Sequence, residues 1–204
     1  MGTRYFSAIL MSTLLAMIPL IHSELHARNE AGTNNGPNLI TFDKPEHAGR
    51  WARVNDSVMG GVSTSTIYLE DDFGVFSGNL SLENNGGFAS VRRLWTPTTK
   101  ALNNESKPAK VKIKVLGDGQ YYQLRFRTSK YMDGVSYAAG FQSKEGEMTE
   151  HEFELNDFVA VWRGRTVRDA EKLAWDDIAQ VGIMITQKQK GPFTLKVASI
   201  ALSN

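Results

Sequence analysis

The stretch from Lys110 to Thr128 reads KVKIKVLGDGQYYQLRFRT and contains the clearest periodicity of the chain. Lysines alternate strictly with β-branched apolar residues from Lys110 to Val115, which is the pattern of a strand with one buried face and one solvated face. After Gly117-Asp118-Gly119 the alternation resumes, from Tyr121 to Thr128. We therefore predict two strands that are joined as a hairpin at the two glycines.

The second of these strands separates an apolar face from a polar face. Its inward residues are predicted to be Tyr122, Leu124 and Phe126, and the opposite face carries Tyr121, Gln123, Arg125 and Arg127. A planar guanidinium beside an aromatic ring suits carboxylates, sugars or partner carbonyls, and this makes the polar row a candidate site. The alternative is that these arginines pair with nearby glutamates on an outer face.

Short alternating segments with turn residues between them occur along most of the chain. The further predicted strands are Leu39–Asp43, Val62–Leu69, Phe76–Leu82, Phe88–Leu94, Ser136–Gln142 and His151–Leu155, with two more around Val181–Ile185 and Phe193–Val197. We count about nine or ten strands and no helix long enough for a βαβ unit. The prediction is an all-β fold, an antiparallel β-sandwich of jelly-roll type.

Three segments depart from simple alternation. Apolar parity shifts at Ile200 and Leu202, which predicts a bulge or a bend in the last strand. The alternation stops from Phe158 to Ala174, where we predict a long ordered loop with a short helical turn near Arg168 to Leu173. Residues Pro97 to Pro108 are predicted to form another loop.

The composition is that of one soluble globular domain. The chain has 204 residues, of which 41% are hydrophobic and 22% charged. Lys and Arg number 23 against 22 Asp and Glu, so a nucleic acid partner is not expected. The absence of cysteine excludes disulfides and thiol nucleophiles.

The N-terminal segment resembles a secretory leader. Residues 1–23 combine Arg4, an apolar run from Phe6 to Ile21 and a small residue, Ser23, at the expected cleavage point. Residues 24–37 are predicted to be a flexible linker and residues 38–204 the folded domain. The expected location is exported, periplasmic or secreted, with no stable membrane span after cleavage. The alternative is a domain anchored to the membrane by an uncleaved leader.

The residues that usually carry catalysis or bind metals do not assemble into a recognisable pattern. Within the predicted folded domain only His47 and His151 occur, and no nucleophile elbow, phosphate loop or dinucleotide fingerprint occurs. The acidic pairs Asp71-Asp72 and Asp176-Asp177 fall at apparent turns, where a calcium site built from loop acids remains an alternative. We therefore expect no catalytic residue, no metal and no cofactor, and a protein that is not an enzyme.

The most specific stretch runs from Trp51 to Ser65, WARVNDSVMGGVSTS. Asn55-Asp56-Ser57 can hydrogen-bond its own backbone, and Gly60-Gly61 permits positive φ, which predicts a shaped turn ahead of a strand. Trp51 and Trp162 each have two interpretations, as residues of the core or rim and as sugar-stacking platforms.

This stretch resembles the complex I intermediate-associated protein 30 family. The matching residues are Asn55-Asp56-x-Val58-Met59-Gly60-Gly61-x-Ser63, and they are supported by Gly86-Gly87-Phe88-Ala89-Ser90-Val91-Arg92, Arg163-Gly164-Arg165 and Gly191-Pro192-Phe193-x-Leu195. The resemblance spans nearly all of Leu39 to Leu202. It implies a galactose-binding-like sandwich and a non-catalytic, chaperone-like role in the assembly of respiratory complex I, whereas the leader indicates export.

Two functions from different classes follow from these observations. The first is a protein-binding domain whose partners are membrane-complex subunits, and the alternative is a carbohydrate-binding module. The motif around Asn55 has two readings as well, a turn that folds the domain and a surface that binds a partner. The candidate partner-binding residues are Trp51, Asn55, Asp56, Met59, Gly60, Gly61, Ser63, Arg92, Tyr121, Arg125, Arg127, Trp162, Arg163 and Arg165.

Overall fold

The computed structural model describes residues 38–95, 110–129 and 133–203. The predicted leader, the linker 24–37 and the whole of the predicted loop 97–108 lie outside these ranges. The described chain forms the strands β1 Asn38–Thr41, β2 Ala52–Arg53, β3 Thr64–Glu70, β4 Phe73–Leu80, β5 Ala89–Leu94, β6 Lys110–Leu116, β7 Tyr121–Arg127, β8 Ser136–Gln142, β9 Met148–Glu154, β10 Val159–Trp162, β11 Arg165–Thr166, β12 Gln180–Ile185 and β13 Gly191–Ser203.

Helical structure within these ranges is confined to short turns. A five-residue helix, α1, spans Pro45–Gly49, where the sequence predicts a loop. The 3₁₀ turns are Asp56–Met59, Glu83–Asn85, Leu155–Asp157 and Trp175–Asp177. No helix of the described ranges is long and apolar enough to cross a membrane.

The strands form two antiparallel sheets. Sheet A has six strands in the order β3-β4-β13-β6-β9, and β1 pairs with β13 outside this path. Sheet B has seven strands in the order β11-β10-β8-β7-β12-β5-β2. The predicted antiparallel β-sandwich is confirmed.

The core lies between the sheets and follows from the alternation of apolar residues. On β6 the buried residues are Val111, Ile113 and Val115, while the lysines between them face outward. The inward row of β7 consists of Tyr122, Leu124 and Phe126, as predicted. Aromatic rings dominate the centre, where the Phe76 and Phe193 rings lie 4.9 Å apart.

The predicted hairpin between β6 and β7 is wrong. Strand β6 pairs with β13 and β9 in sheet A, whereas β7 pairs with β12 and β8 in sheet B. Gly117-Asp118-Gly119 therefore carries the chain from one sheet to the other. The alternation shows which residues of a strand face the core. It does not show to which sheet the strand belongs, because both sheets bury their inner faces against each other.

The prediction of an irregular loop from Phe158 to Ala174 is wrong in its first part. Strands β10 and β11 form a hairpin there, with Trp162 opposite Arg165 and with Arg163 and Gly164 both at positive φ. Short edge strands carry too few residues for their alternation to be recognised. The expected helical turn near Arg168–Leu173 is absent from the described chain, and a 3₁₀ turn occurs later, at Trp175–Asp177.

The predicted irregularity in the last strand is confirmed. The pairing of β13 with β6 shifts register between Val197 and Ser199. This bulge moves Ile200 and Leu202 onto the inner face, where both are buried.

Candidate functional site

The outer face of sheet B forms a groove of about 910 Å³. Its floor comes from strands β5, β12, β7 and β8, whose outward residues alternate with the buried core residues. We call it the arginine groove. The strand residues that line the floor with polar or flexible side chains are Ser90, Arg92, Gln123, Arg125, Arg127, Ser136, Gln180 and Met184.

Two arginines lie on either side of a bare glycine in this floor. Gly182 pairs with Arg92 on β5 and with Arg125 on β7, so the three residues form one row across the sheet. Neighbouring strands are about 4.8 Å apart, which places the two arginine Cα atoms about 10 Å from each other. A Cβ atom at Gly182 would lie 2.9 Å from the Val91 carbonyl oxygen and 3.1 Å from Arg92 Cβ. The close packing here requires glycine, which leaves the floor open.

The guanidinium of Arg125 is held without a carboxylate. Its Nη1 donates a hydrogen bond to the Met184 sulfur at 2.8 Å, and its Nε is buried with no hydrogen-bond partner among the described residues. Burial, followed by the nearby charge of Arg127, lowers the pKa of Arg125 to about 10. Burial lowers the pKa of Arg92 and of Arg127 as well. The groove thus brings several positive charges together, and burial removes part of the hydration of their guanidinium groups.

One wall of the arginine groove is the β10–β11 hairpin. The Arg163 guanidinium lies over the Trp162 ring, 4.9 Å from its centroid, and donates to Asp133 Oδ2 at 3.0 Å. The Trp162 indole donates to the other carboxylate oxygen of Asp133 at 3.2 Å. Arg163, the Gly134 amide and Trp162 together lower the pKa of Asp133 to about 2. Asp133 is therefore occupied by this wall, although Arg127 also lies near it.

The opposite wall contains the family motif Asn55–Ser63, and its centre is the buried carboxylate of Asp56. This side chain is 0% exposed. Its oxygens accept hydrogen bonds from the Ser63 amide at 2.9 Å, the Ser63 hydroxyl at 2.5 Å and the amides of Gly87 and Phe88 at 2.7 and 3.3 Å. Burial alone would raise the pKa of Asp56, but these hydrogen bonds outweigh it and lower the pKa.

The motif joins the two sheets. Ser63 directly precedes β3 of sheet A, and Gly87 and Phe88 directly precede β5 of sheet B, so Asp56 ties one end of the sandwich together. Asn55 adds a second tie, because its side-chain oxygen accepts from the Ser65 hydroxyl at 2.7 Å. A Cβ atom at Gly61 would lie 2.4 Å from Asp56 Cγ. Glycine is required there by close approach.

Two residues of the same motif point the other way, to solvent. Val58 is 69% exposed and Met59 is 59% exposed, and both line the arginine groove. Gly60, at φ +90°, closes the 3₁₀ turn that presents them, and its amide donates to the Ser57 carbonyl oxygen. The motif therefore contains residues that fold the domain and residues that face the groove, so both readings of its sequence apply to different positions.

The candidate residues from the sequence fall into three groups. Those that the structure brings to the groove are Met59, Arg92, Arg125, Arg127 and Arg163. Those that hold the motif are Asn55, Asp56, Gly60, Gly61 and Ser63. The remainder lie apart from the groove lining and are Trp51, Tyr121, Trp162 and Arg165.

Trp51 as a sugar-stacking platform is wrong. It is 7% exposed and belongs to the core, where its ring stacks on Phe42 at a centroid distance of 6.1 Å. Trp51 lies between helix α1 and the short strand β2 of sheet B, and these two elements position its side chain. Tyr121 shares the outer face with Arg125, but its ring lies across Gly140, where a Cβ would collide with the phenol oxygen at 1.6 Å.

Sequence reasoning missed several residues of the site. Gly182 and Met184 alternate with the buried residues of β12, and this alternation was the signal that could have placed them on the outer face. Val58 lies inside the quoted motif but was not selected. Asp133 and Gly134 gave no signal, because they reach the groove from a loop. The described residues contain no cluster of three His, Asp or Glu side chains able to hold a metal ion.

A two-sheet jelly roll that carries a ligand-sized groove on one outer face is the architecture of a binding domain. The sequence then identifies the family. The profile of the complex I intermediate-associated protein 30 (CIA30) family matches residues 40–197, and the chain belongs to this family. Among curated proteins, no sequence matches the chain.

Solved structures share the fold at low sequence identity. A family 11 carbohydrate-binding module from Clostridium thermocellum is 12% identical, covers 76% of this chain and 88% of its own, and gives a TM-score of 0.54. The same module in complex with a β-1,3-1,4-mixed-linked tetrasaccharide is 13% identical, covers 81% and 95%, and gives 0.55. The sandwich is thus of the galactose-binding-like type, as the resemblance implied.

Proposed function

We propose that this chain is a non-catalytic protein-binding domain, a chaperone-like factor related to the assembly of respiratory complex I, and that its partner docks on the arginine groove. Membership of the CIA30 family supports the role. The observation that carries the docking surface is the exposure of Val58 and Met59 on a turn fixed by the buried Asp56. Met, Arg and aromatic residues are enriched at protein interfaces, whereas Lys and Glu are depleted there.

Site-specific cross-linking tests this docking surface. A photoreactive amino acid at position 59 of the full chain, expressed in its native cells, is expected to capture subunits of a membrane complex. The matched control carries the same group at Lys114, which is exposed on the outer face of sheet A. Equal capture from both positions, or none from position 59, would contradict the proposal.

Introducing a charge at Met59, on the edge of the arginine groove, provides a second test of the same surface. Met59→Asp adds a carboxylate to an exposed apolar position and is expected to abolish capture of the partner while the domain stays folded. Thermal unfolding followed by circular dichroism checks the fold. Because Met59 makes little buried contact, a large loss of stability in this variant would show that the position serves folding instead.

Glycan binding is the second candidate function, and the similarity to a carbohydrate-binding module with a bound tetrasaccharide favours it. The arginine groove supplies hydrogen-bond donors in Arg125 and Gln123 for sugar hydroxyls. A glycan array with the purified domain tests it. Uniform background binding to every sugar would exclude this function.

The location of the protein forms part of the same proposal. The leader of residues 1–23 supports export, which would place the domain on a different side of the membrane from a factor that acts in the mitochondrial matrix or bacterial cytoplasm. Cell fractionation together with the N-terminal mass of the mature protein decides between cleavage near Ser23 and an uncleaved leader.

A further inference from the structure

The arginine groove differs in charge from the chain as a whole. Its described lining residues include five basic side chains and one acidic side chain, Asp133, whereas the whole chain has 23 basic and 22 acidic residues. The basic residues are Arg92, Arg125, Arg127, Arg163 and Lys188. A cleft lined by one sign of charge raises the local concentration of ligands of the opposite sign.

The single acid of the groove does not neutralise its floor. Both oxygens of Asp133 are engaged by the hairpin wall, through Trp162 and Arg163. Arg125 has no ion-pair partner among the described residues, and one of its donors, Nε, is buried without an acceptor. Burial, followed by the adjacent charge of Arg127, lowers the pKa of Arg125, so a bound anion would relieve the repulsion between the two guanidinium groups.

The floor has the shape that a carboxylate requires. Arg92 on β5 and Arg125 on β7 lie on the two strands that flank β12, and Gly182 of β12 contributes no side chain between them. A guanidinium can donate two parallel hydrogen bonds to one carboxylate, which gives a geometric preference over a simple point charge.

The composition of the groove favours a peptide over a sugar. Phe88 is the sole aromatic residue among its described lining residues, and the Arg163 guanidinium lies over the ring of Trp162 in the hairpin wall, so the described floor offers no row of free rings on which successive sugars could stack. The exposed rim residues Val58 and Met59 suit apolar side chains next to the acidic ones. We propose that the arginine groove binds an acidic segment of a protein partner and holds one of its carboxylates between Arg92 and Arg125 above Gly182. This proposal rests on the protein-binding function proposed above.

Binding of a labelled hexaglutamate peptide to the full domain, measured by fluorescence anisotropy at low and at physiological salt, tests the site. Hexaglutamine is the neutral control. Arg125→Gln is expected to weaken hexaglutamate binding about 10-fold or more, because a charged hydrogen-bonded pair is lost. Lys114→Gln removes one positive charge from the outer face of sheet A and is expected to leave binding unchanged.

The conservative variant separates geometry from charge. Arg125→Lys keeps the positive charge but loses the paired donors, and it is expected to bind hexaglutamate more weakly than the native domain and more tightly than Arg125→Gln. Affinity equal to that of the native domain would overturn a bidentate carboxylate site. Circular dichroism of each variant confirms that the fold is retained.

Three other results would overturn the proposal. These are equal binding of hexaglutamate and hexaglutamine, equal losses in Arg125→Gln and Lys114→Gln, and tighter binding of trigalacturonate than of hexaglutamate, which would assign the site to acidic glycans. Failure of the site is distinguishable from failure of the proposed function. Partner capture from position 59 that persists in Arg125→Gln would leave the function standing without this site, whereas loss of capture from position 59 of the native sequence refutes the function itself.

Discussion

The two outer faces of the sandwich handle charge in opposite ways. On sheet A the lysines of β6 meet the glutamates of β9, where Lys110 lies 2.5 Å and Lys112 lies 2.9 Å from Glu152, and Lys196 pairs with Glu70 at 2.5 Å. On sheet B the arginines of β5 and β7 face a floor of glutamine, serine, glycine and methionine.

This difference shows which face is self-sufficient. Paired exposed charges satisfy one another and the solvent, and they contribute little to the stability of the protein. Arg125 is half-buried without an ion-pair partner among the described residues, which costs free energy in the isolated domain, and proteins tolerate such costs where a ligand or partner removes them. Pairing within the domain accounts for the charges on the face of sheet A, whereas the face of sheet B fits the partner proposed above.

Removing Asp56 is expected to have the largest effect on stability, because the Asp56 carboxylate holds the ends of both sheets together. Asp56→Ala leaves the amides of Ser63 and Gly87 buried without acceptors, and the free energy of unfolding should fall by about 3–5 kcal/mol. Chemical denaturation measures this loss. Met59→Ala, four residues from the motif's start at Asn55, is the matched control and should cost less than about 0.5 kcal/mol. Similar losses in both variants would contradict the division of the motif.

Replacement of Arg125 by a neutral, flexible side chain is expected to stabilise the domain, which is the opposite of the effect expected at Asp56. Arg125→Met keeps the apolar stem but removes a buried charge whose pKa is lowered to about 10, so the free energy of unfolding should rise by about 1 kcal/mol. The same variant should lose hexaglutamate binding. A decrease in stability would mean that Arg125 is part of the framework of sheet B.

The corresponding change on sheet A should have a smaller effect of the opposite sign. Lys112→Met removes the ion pairs to Glu150 and Glu152 and is expected to lower the midpoint of thermal unfolding slightly. Differential scanning calorimetry at low salt gives the best sensitivity, since salt screens exposed pairs. A stabilisation as large as that of Arg125→Met would remove the distinction between the two faces.

Protonation of Glu152 on sheet A is expected to produce the smallest effect. Hydrogen bonds from Lys110 and then Lys112 lower the pKa of Glu152 from 4.5. A carboxyl whose pKa is lowered in the folded state stabilises the protein above its unfolded pKa, and this contribution is lost as the pH falls through the folded value. Thermal unfolding from pH 6 to pH 3 should show the loss, and Glu152→Gln should remove that part of it. The arginine groove stays charged throughout this range.

The sequence predicts the faces of the strands better than their partners. Alternation placed Tyr122, Leu124 and Phe126 in the core and Arg125 outside it, and a parity shift located the bulge before Ile200. It could not decide that β6 and β7 belong to different sheets, because the pairing partners β9, β12 and β13 are distant in sequence. Strand pairing is set by non-local contacts, which a local pattern does not encode.

The candidate site was predictable to the extent that it lies on strands. The sequence predicts Arg125 and Arg127 on one polar face and Arg92 on another strand, and their convergence follows from the pairing of β5 and β7 with β12. Asp133 reaches the groove from a loop and was missed. Trp51 was assigned two interpretations because a tryptophan near a turn looks the same in sequence whether it is buried or exposed.

The position of β13 in sheet A bears on how the protein is made. This 13-residue strand pairs with β4, β6 and β1, all of which precede it in the chain. During synthesis the ribosome releases those strands before their central neighbour exists, so sheet A stays open until Gly191–Ser203 emerges. The nascent chain therefore carries unpaired strand edges while the intervening strands are made, and sheet A can be completed only after β13 has emerged.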